Sequence, residues 1–274
     1  MLVQVIFACY NRAEKTKRCI QTLIAGNPSL SFRFIVVNDG STDGTEEALA
    51  ELDAVYHNIT VLSGNKNLYY SKAMRKGMEW LNRTAEQADY VLLVNDDVEF
   101  KNGVIERLIE ESKAKNNAVI VGATCDEEGR FTYGGVRYPA GTIDVNFVTP
   151  ETPDTCCDTF NGNCVLIPWE VYVKNEPMDG EYAHASGDFD YGFALSRNGA
   201  EIYSSSFYVG TCNRNSVNGT WYDRSLSRRE RLRRKESPKG LPFRSWLHFL
   251  YKNFGLKQAV LHGFTPYIKI LLGK

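Results

Sequence analysis

The chain is predicted to fold as an α/β protein. A mostly parallel sheet is flanked by helices, with a small β-hairpin extension and a basic, aromatic helical tail at the C-terminus. Three observations lead there. Strand-like apolar runs alternate with helix-period segments as far as residue 125, the pattern of βαβ units. Of 274 residues, 43% are hydrophobic and 24% charged, which supplies a sizeable core and excludes wholesale disorder. The charge is uneven: from Asn213 onward fourteen Lys/Arg face three Asp/Glu, whereas residues 1–212 carry eighteen against thirty.

The elements follow in order. LVQVIFA (2–8) is a strand, and residues 13–25 place Cys19, Ile20, Leu23 and Ile24 near helical spacing. FRFIVVN (32–38) is a second strand. Thr42 to Leu52 is a short helix that Ser41 opens as its N-cap. ITVLSG (59–64) is a third strand, followed by a helix to about Asn82. ADYVLLVN (88–95) is apolar without alternation, as a strand buried on both faces must be. A helix over 103–114 and a strand over 118–124 complete the alternation. RFTYGGVRYPAGTIDVNFV (130–148) then alternates and turns, which predicts a hairpin acting as a lid or an edge extension. NGNCVLIP (161–168) is a strand, 188–197 a helix and 201–210 a last strand. Residues 1–212 therefore form the α/β domain, and 213–274 a helical appendage.

Several classes are excluded. No repeat period is present. The seven cysteines are odd in number and lack C-x-x-C or zinc-type spacing, so free thiols in a reducing compartment are expected. MLVQVIFACYNR has no basic leader and reads as a strand, and no uncharged apolar run reaches the length of a membrane span. A cytoplasmic protein is expected, with peripheral attachment to the inner face of a membrane through the basic tail.

In open α/β sheets ligands bind beyond the carboxyl ends of the strands. Cys9-Tyr10-Asn11-Arg12 follows the first strand, Asn38-Asp39-Gly40-Ser41 the second, and Asn95-Asp96-Asp97 the fourth. Adjacent carboxylates at the rim of a core repel, and a divalent cation relieves the repulsion; capping of the next helix is the plainer alternative. Asp188-Phe189-Asp190 opens a helix, where carboxylates suit either a cap or a general base.

Together CYNR (9–12), VVNDGSTD (36–43), LLVNDDV (92–98) and HASGDFDYGFALSRNG (184–199) resemble the motifs of a GT-A-type glycosyltransferase of family 2, over residues 1–210. That resemblance implies a Rossmann-like GT-A fold and an inverting transfer from a nucleotide-sugar donor, UDP- or dTDP-linked, to a hydroxyl of a glycan or lipid-linked acceptor in bacterial surface polysaccharide synthesis. It implies that Tyr10, beside Asn11, stacks on the base and that Asp39 hydrogen-bonds it. Asn95-Asp96-Asp97 stands for the D-x-D motif: Asp97 binds Mn²⁺ or Mg²⁺, and Asp96 lies near the ribose or a metal-bound water. Asp188 is the implied catalytic base, with Asp190 second. Asn67 and Lys72 are donor-site candidates; Asn161 and Asn163 either hydrogen-bond sugar hydroxyls or cap a strand end. Three positions depart from the family pattern, the first being Gly187, which stands before Asp188 where the family often has Glu. Asn95 replaces the first acidic residue, and no His follows the last strand, where Asn213, Arg214 or Asn215 is expected at the diphosphate.

The tail allows three partners: the acidic body, a membrane surface or lipid-diphosphate acceptor, and a second subunit in a homodimer. No nucleic-acid module accompanies its charge. Other functions consistent with the composition are a nucleotidyltransferase, against which CYNRAEK offers no glycine-rich loop, and an inactive surface-binding scaffold acting through the tail.

Overall fold

The structure, a computed structural model, describes residues 1–84, 87–152 and 154–273. In chain order the elements are β1 Leu2–Cys9, α1 Ala13–Gly26, β2 Ser31–Asn38, α2 Thr45–Tyr56, β3 Ile59–Ser63, α3 Tyr69–Thr84, β4 Tyr90–Val94, β5 Glu99–Phe100, α4 Val104–Ala114 and β6 Val119–Cys125. There follow β7 Phe131–Tyr133, β8 Gly135–Arg137, β9 Asn146–Val148, β10 Thr159–Phe160, β11 Cys164–Pro168, α5 Trp169–Tyr172, α6 Gly187–Arg197 and β12 Ile202–Thr211, then α7 Arg228–Lys235, α8 Phe243–His262 and α9 Thr265–Leu271.

The main sheet runs β3-β2-β1-β4-β11-β6-β12-β5, with β7 beside β6. β1 to β4 pair in parallel, as do β6 and β12, while β11 is inserted antiparallel between β4 and β6. Residues alternate across the sheet, so each strand feeds two cores. Val3, Val5 and Phe7 pack with Leu23, Leu49 and Leu108 of α1, α2 and α4. Ile6, Val91 and Leu93 pack with Met74, Met78 and Leu195 of α3 and α6. Cover on both faces is why these strands read as unbroken apolar runs.

The predicted hairpin divides. β7 extends the main sheet, whereas β8 and β9 pair with each other and with β10 in a second, three-stranded sheet. The start of α2 is a correction. Gly44, at φ 89°, sits at its N-cap, and Asp43 Oδ1 accepts from the Thr45 amide. Ser41 is committed elsewhere, its hydroxyl accepting from the Asn11 amide.

The appendage folds onto the body. Ser227 caps α7 by accepting from the Glu230 amide, while the Glu230 carboxylate pairs with Arg234. Arg231 and Lys235 turn inward: Arg231 Nε donates to the Trp221 carbonyl, and Lys235 Nζ lies 3.8 Å over the Tyr267 ring. Gly255 (φ 82°, ψ 175°) breaks α8. The chain then returns along the first arm, so that Trp246 Nε1 donates to the His262 carbonyl at 3.1 Å. No helix among the described residues is long and apolar enough to cross a membrane.

Candidate active site

β2 and β4 flank β1 on opposite sides, so the chain reverses its direction of winding there, the kind of switch point where α/β sheets bind ligands. A cleft of about 830 Å³ opens at the carboxyl ends of these strands, ample for a nucleotide-sized ligand. One half is polar, with Tyr10, Arg12, Asp39, Asn95, Asp96 and Asp97 in its lining. The other is aromatic, with Tyr138, Phe189, Trp246, Phe249 and Phe254, and Asp188 lines the same cavity.

In the polar half, Arg12 Nη1 reaches Asp96 Oδ1 at 2.9 Å and Asp97 Oδ2 at 2.8 Å. Asp96 is buried and also meets the Thr16 hydroxyl. Burial raises its pKa, Arg12 opposes that, Asp97 adds to it, and the balance is about 6. Asp97 accepts from the Cys212 thiol at 3.6 Å, and Asn163 Nδ2 donates to the same sulfur. Burial, then Asp97, pushes that thiol up to about 12, so Cys212 stays protonated at neutral pH. The Asn95 amide donates to the Asn163 carbonyl, which ties β4 to the approach to β11. Asn95 Oδ1 and Asn161 Oδ1 are buried without a hydrogen-bond partner among the described residues.

Asp39 is buried and heavily used. Oδ1 accepts from the Lys66 amide, and Oδ2 from those of Leu68 and Tyr69, at 2.9–3.1 Å. Three donors leave a carboxylate about one further acceptor position, so Asp39 chiefly shapes the 64–69 loop. Tyr10, 45% exposed, presents its ring to the cleft.

Asp188 sits in the first turn of α6, after Ser186 at φ 70°. Oδ2 accepts from the Gly162 amide at 3.0 Å and Oδ1 from the Phe189 amide at 2.9 Å. Burial raises its pKa, and those two amides restrain the rise. Gly162 is required where it stands: a Cβ there would lie 2.0 Å from the Tyr70 hydroxyl and 3.3 Å from Asp188 Cβ.

Five sequence candidates lie outside the cleft lining, among them Lys72, exposed on α3. Asn11, at φ 51°, joins two loops, its Oδ1 accepting from the Thr42 amide. Asn67 is exposed and bonds to Asn65. Arg214 donates to the Phe131 carbonyl, while Asn213 and Asn215 line the cleft beside it. Asp190 is buried against the appendage: Lys252 Nζ meets Oδ2 at 2.7 Å, and Asn253 Nδ2 donates to Oδ1 at 2.9 Å. One helical turn holds both Asp188 and Asp190, and residues two apart do not share a helix face.

Sequence reasoning missed the role of Arg12, of Cys212 and of the aromatic wall. CYNR carried Arg12, and an arginine following one strand end on the same sheet edge as paired carboxylates was a usable signal. Nothing local marked Cys212, and the tail aromatics showed only as an amphiphilic helix.

The family described as Glycosyl transferase family 2 matches residues 4–163. Glycosyltransferase AglE of Haloferax volcanii is 30% identical over 78 residues, 28% of this chain and 26% of that protein; the match thus spans about a quarter of that relative. Among solved structures, mannosyltransferase PcManGT from Pyrobaculum calidifontis, in complex with GDP-Man and Mn²⁺, superposes with a TM-score of 0.59 at 13% identity, covering 99% of this chain and 73% of that one. S. aureus TarS 1–349 superposes with a TM-score of 0.57 at 15% identity, covering 98% and 81%.

Proposed function

The chain belongs to glycosyl transferase family 2, a GT-A glycosyltransferase family, and from that premise we propose that it moves a sugar from a nucleotide-diphosphate donor to a hydroxyl of a glycan or lipid-linked acceptor, inverting the anomeric configuration. One observation carries the reading. Asp188 and the Asp96–Asp97 pair line a single cavity, the first against its aromatic half and the second within its polar half.

The residues divide the work. Tyr10 offers a ring face to the nucleotide base. Arg12 and Lys66 supply positive charge at the polar end for the diphosphate. Asn161, with its unpartnered buried oxygen, accepts a hydrogen bond from a sugar hydroxyl. Asp188 takes the proton of the acceptor hydroxyl as that oxygen bonds to the anomeric carbon. The bond to the diphosphate breaks on the opposite side, and the nucleoside diphosphate leaves with the electron pair. Burial makes Asp188 a stronger base than an exposed carboxylate, which suits proton abstraction near neutral pH.

A divalent cation fits this site with help from the donor. Among the described residues, no three His, Cys, Asp or Glu side chains cluster to hold an ion alone. Mg²⁺ and Mn²⁺ commonly use one or two carboxylates and complete their shell with substrate phosphates and water. Asp97 and Asp96 are hard oxygen donors, and the preceding residue's Asn95 Oδ1 is buried without a hydrogen-bond partner among the described residues. When bound, the cation would supply charge neutralisation at the departing diphosphate.

The test is calorimetric titration of UDP, dTDP and GDP, each with and without Mn²⁺, on wild type and Asp97→Asn. The expected result is Mn²⁺-dependent binding of one nucleotide that weakens in the variant. Folded protein that binds none of the three would overturn the reading in favour of a scaffold.

A further inference from the structure

The stretch after the α8 break is apolar on both sides. Ala259, Gly263, Pro266 and Ile270 are buried against the rest of the appendage. Leu256, Val260, Phe264, Ile268 and Leu272, at four-residue steps, are each more than half exposed. Gly263, Phe264 and Leu272 keep right-handed helical backbone, so α8 and α9 carry this outward row with little interruption. A helix that is apolar all round is ordinarily covered on every side, and isolated surface leucines would not recur at helical spacing over four turns.

Charge identifies the covering. No Asp or Glu occurs after Glu236, whereas Lys239, Arg244, Lys252, Lys257 and Lys269 all do. Lys257 and Lys269 are exposed within the apolar stretch. α7 packs beside α9 and leaves Arg228 and Arg229 exposed. A second copy would set one cationic face against another and be repelled. A neutral apolar partner would leave the lysines without a counterpart. An interface with apolar depth and negative headgroups satisfies both features.

The row is also held rigidly. Trp246, Phe249 and Phe254 on the first arm of α8 line the cleft. Lys252 bridges Asp179 and Asp190, and Gln258 Nε2 donates to the Gly141 carbonyl. Whatever the second arm rests on is therefore oriented relative to the cleft by one helix layer, about 10 Å deep.

We propose that the outward face of residues 256–272 docks on an anionic lipid bilayer, with the Leu256–Val260–Phe264–Ile268–Leu272 row in the interface and Lys257 and Lys269 among the headgroups. The claim rests on the surface and is independent of the reaction assigned to the cleft.

The experiment is co-sedimentation of the full chain with vesicles of phosphatidylcholine alone and of phosphatidylcholine mixed with phosphatidylglycerol. Wild type should pellet with the mixed vesicles, at least about tenfold more than with the neutral ones, and release as salt rises. Replacing the row (Leu256→Ser, Val260→Ser, Phe264→Ser, Ile268→Ser) should abolish pelleting. Lys257→Gln with Lys269→Gln should weaken it about 25-fold, a factor of about five for each cation. The lysine pair is exposed, so that variant keeps the test alive if the serine variant fails to fold. Three results would each overturn the proposal: wild type left in the supernatant, pelleting indifferent to phosphatidylglycerol, or a wild-type dimer that the row variant dissociates. Nucleotide titration on the same preparations separates the two readings, since protein that binds nucleotide and ignores vesicles loses only the docking surface.

Discussion

The two halves of the cleft are built by different means. Strand register positions the polar half: the Asp39 amide bonds to the Cys9 carbonyl, Gly64 to Asn38, Asn95 to Asn163 and Cys212 to Cys125. Side chains on these strand ends meet because the backbone ladder leaves them no choice. Packing and buried charge position the aromatic half. Tyr138 meets Phe254 with ring centroids 4.9 Å apart, Trp246 stacks on Phe249, and Lys252 pins α8 to Asp179 and Asp190. A site half fixed by backbone hydrogen bonds keeps its geometry when side chains change, whereas one held by an ion pair and rings loosens as a unit.

The largest effect should come where the halves meet. Asp188→Asn removes the base and, because an amide nitrogen cannot accept, one of the two bonds from the Gly162 and Phe189 amides, so kcat/KM should fall by about 10²–10⁴ while nucleotide affinity, set in the polar half, holds. In wild type, burial raises the folded pKa of Asp188, and the base must be ionised. The rate should therefore decline with falling pH at a higher value than an ordinary carboxylate at about 3.9 would set. A fully active Asn variant with the same pH profile would reduce Asp188 to a cap.

Next in size is the loss of the pin. Lys252→Met leaves the buried Asp190 carboxylate without its ammonium partner, though Asn253 still donates to it, at a cost of about 1–3 kcal/mol once the partial exposure of Lys252 is allowed for. Hydrogen exchange should quicken over residues 243–262 while the sheet stays protected and nucleotide affinity holds. Equal protection in both forms would show that rings alone hold the aromatic half.

Arg12→Gln probes the polar half. Without the guanidinium between Asp96 and Asp97, two carboxylates lack a counter-charge, and Mn²⁺ affinity in the absence of nucleotide should rise several-fold. Calorimetry decides it, and unchanged affinity would mean that the ion binds elsewhere.

The smallest effect is acid loosening. Burial alone would raise the pKa of Asp179; the Glu181 amide, Lys252 and His248 outweigh it and hold the carboxyl well below its ordinary range. A depressed carboxylate contributes stability that is complete above its unfolded pKa and is lost as pH falls towards the folded value. Trp246 fluorescence should thus report appendage loosening progressively below about pH 4, before the sheet signal changes.

Much of the N-terminal half was legible in the residues. Apolar runs located its strands, and the strand-end rule placed Tyr10, Asp39, Asp96 and Asp97 at one rim, where all four line the cleft. The family read from four motifs is the family that matches. Less was legible at helix starts: Ser41 has the chemistry of an N-cap, but its hydroxyl is taken by the Asn11 amide thirty residues away. One motif offered Asp188 as the base and Asp190 as second choice, and the helix turn sends them to different partners.

Element type, strand order of burial and the polar rim depend on periodicities within a few residues, so the linear chain already contains them. Arg12 on Asp96, Cys212 on Asp97 and Lys252 on Asp190 join residues 84, 115 and 62 positions apart. Such pairs exist only after the sheet and appendage have closed, because no short-range preference records which distant side chain will occupy the remaining space.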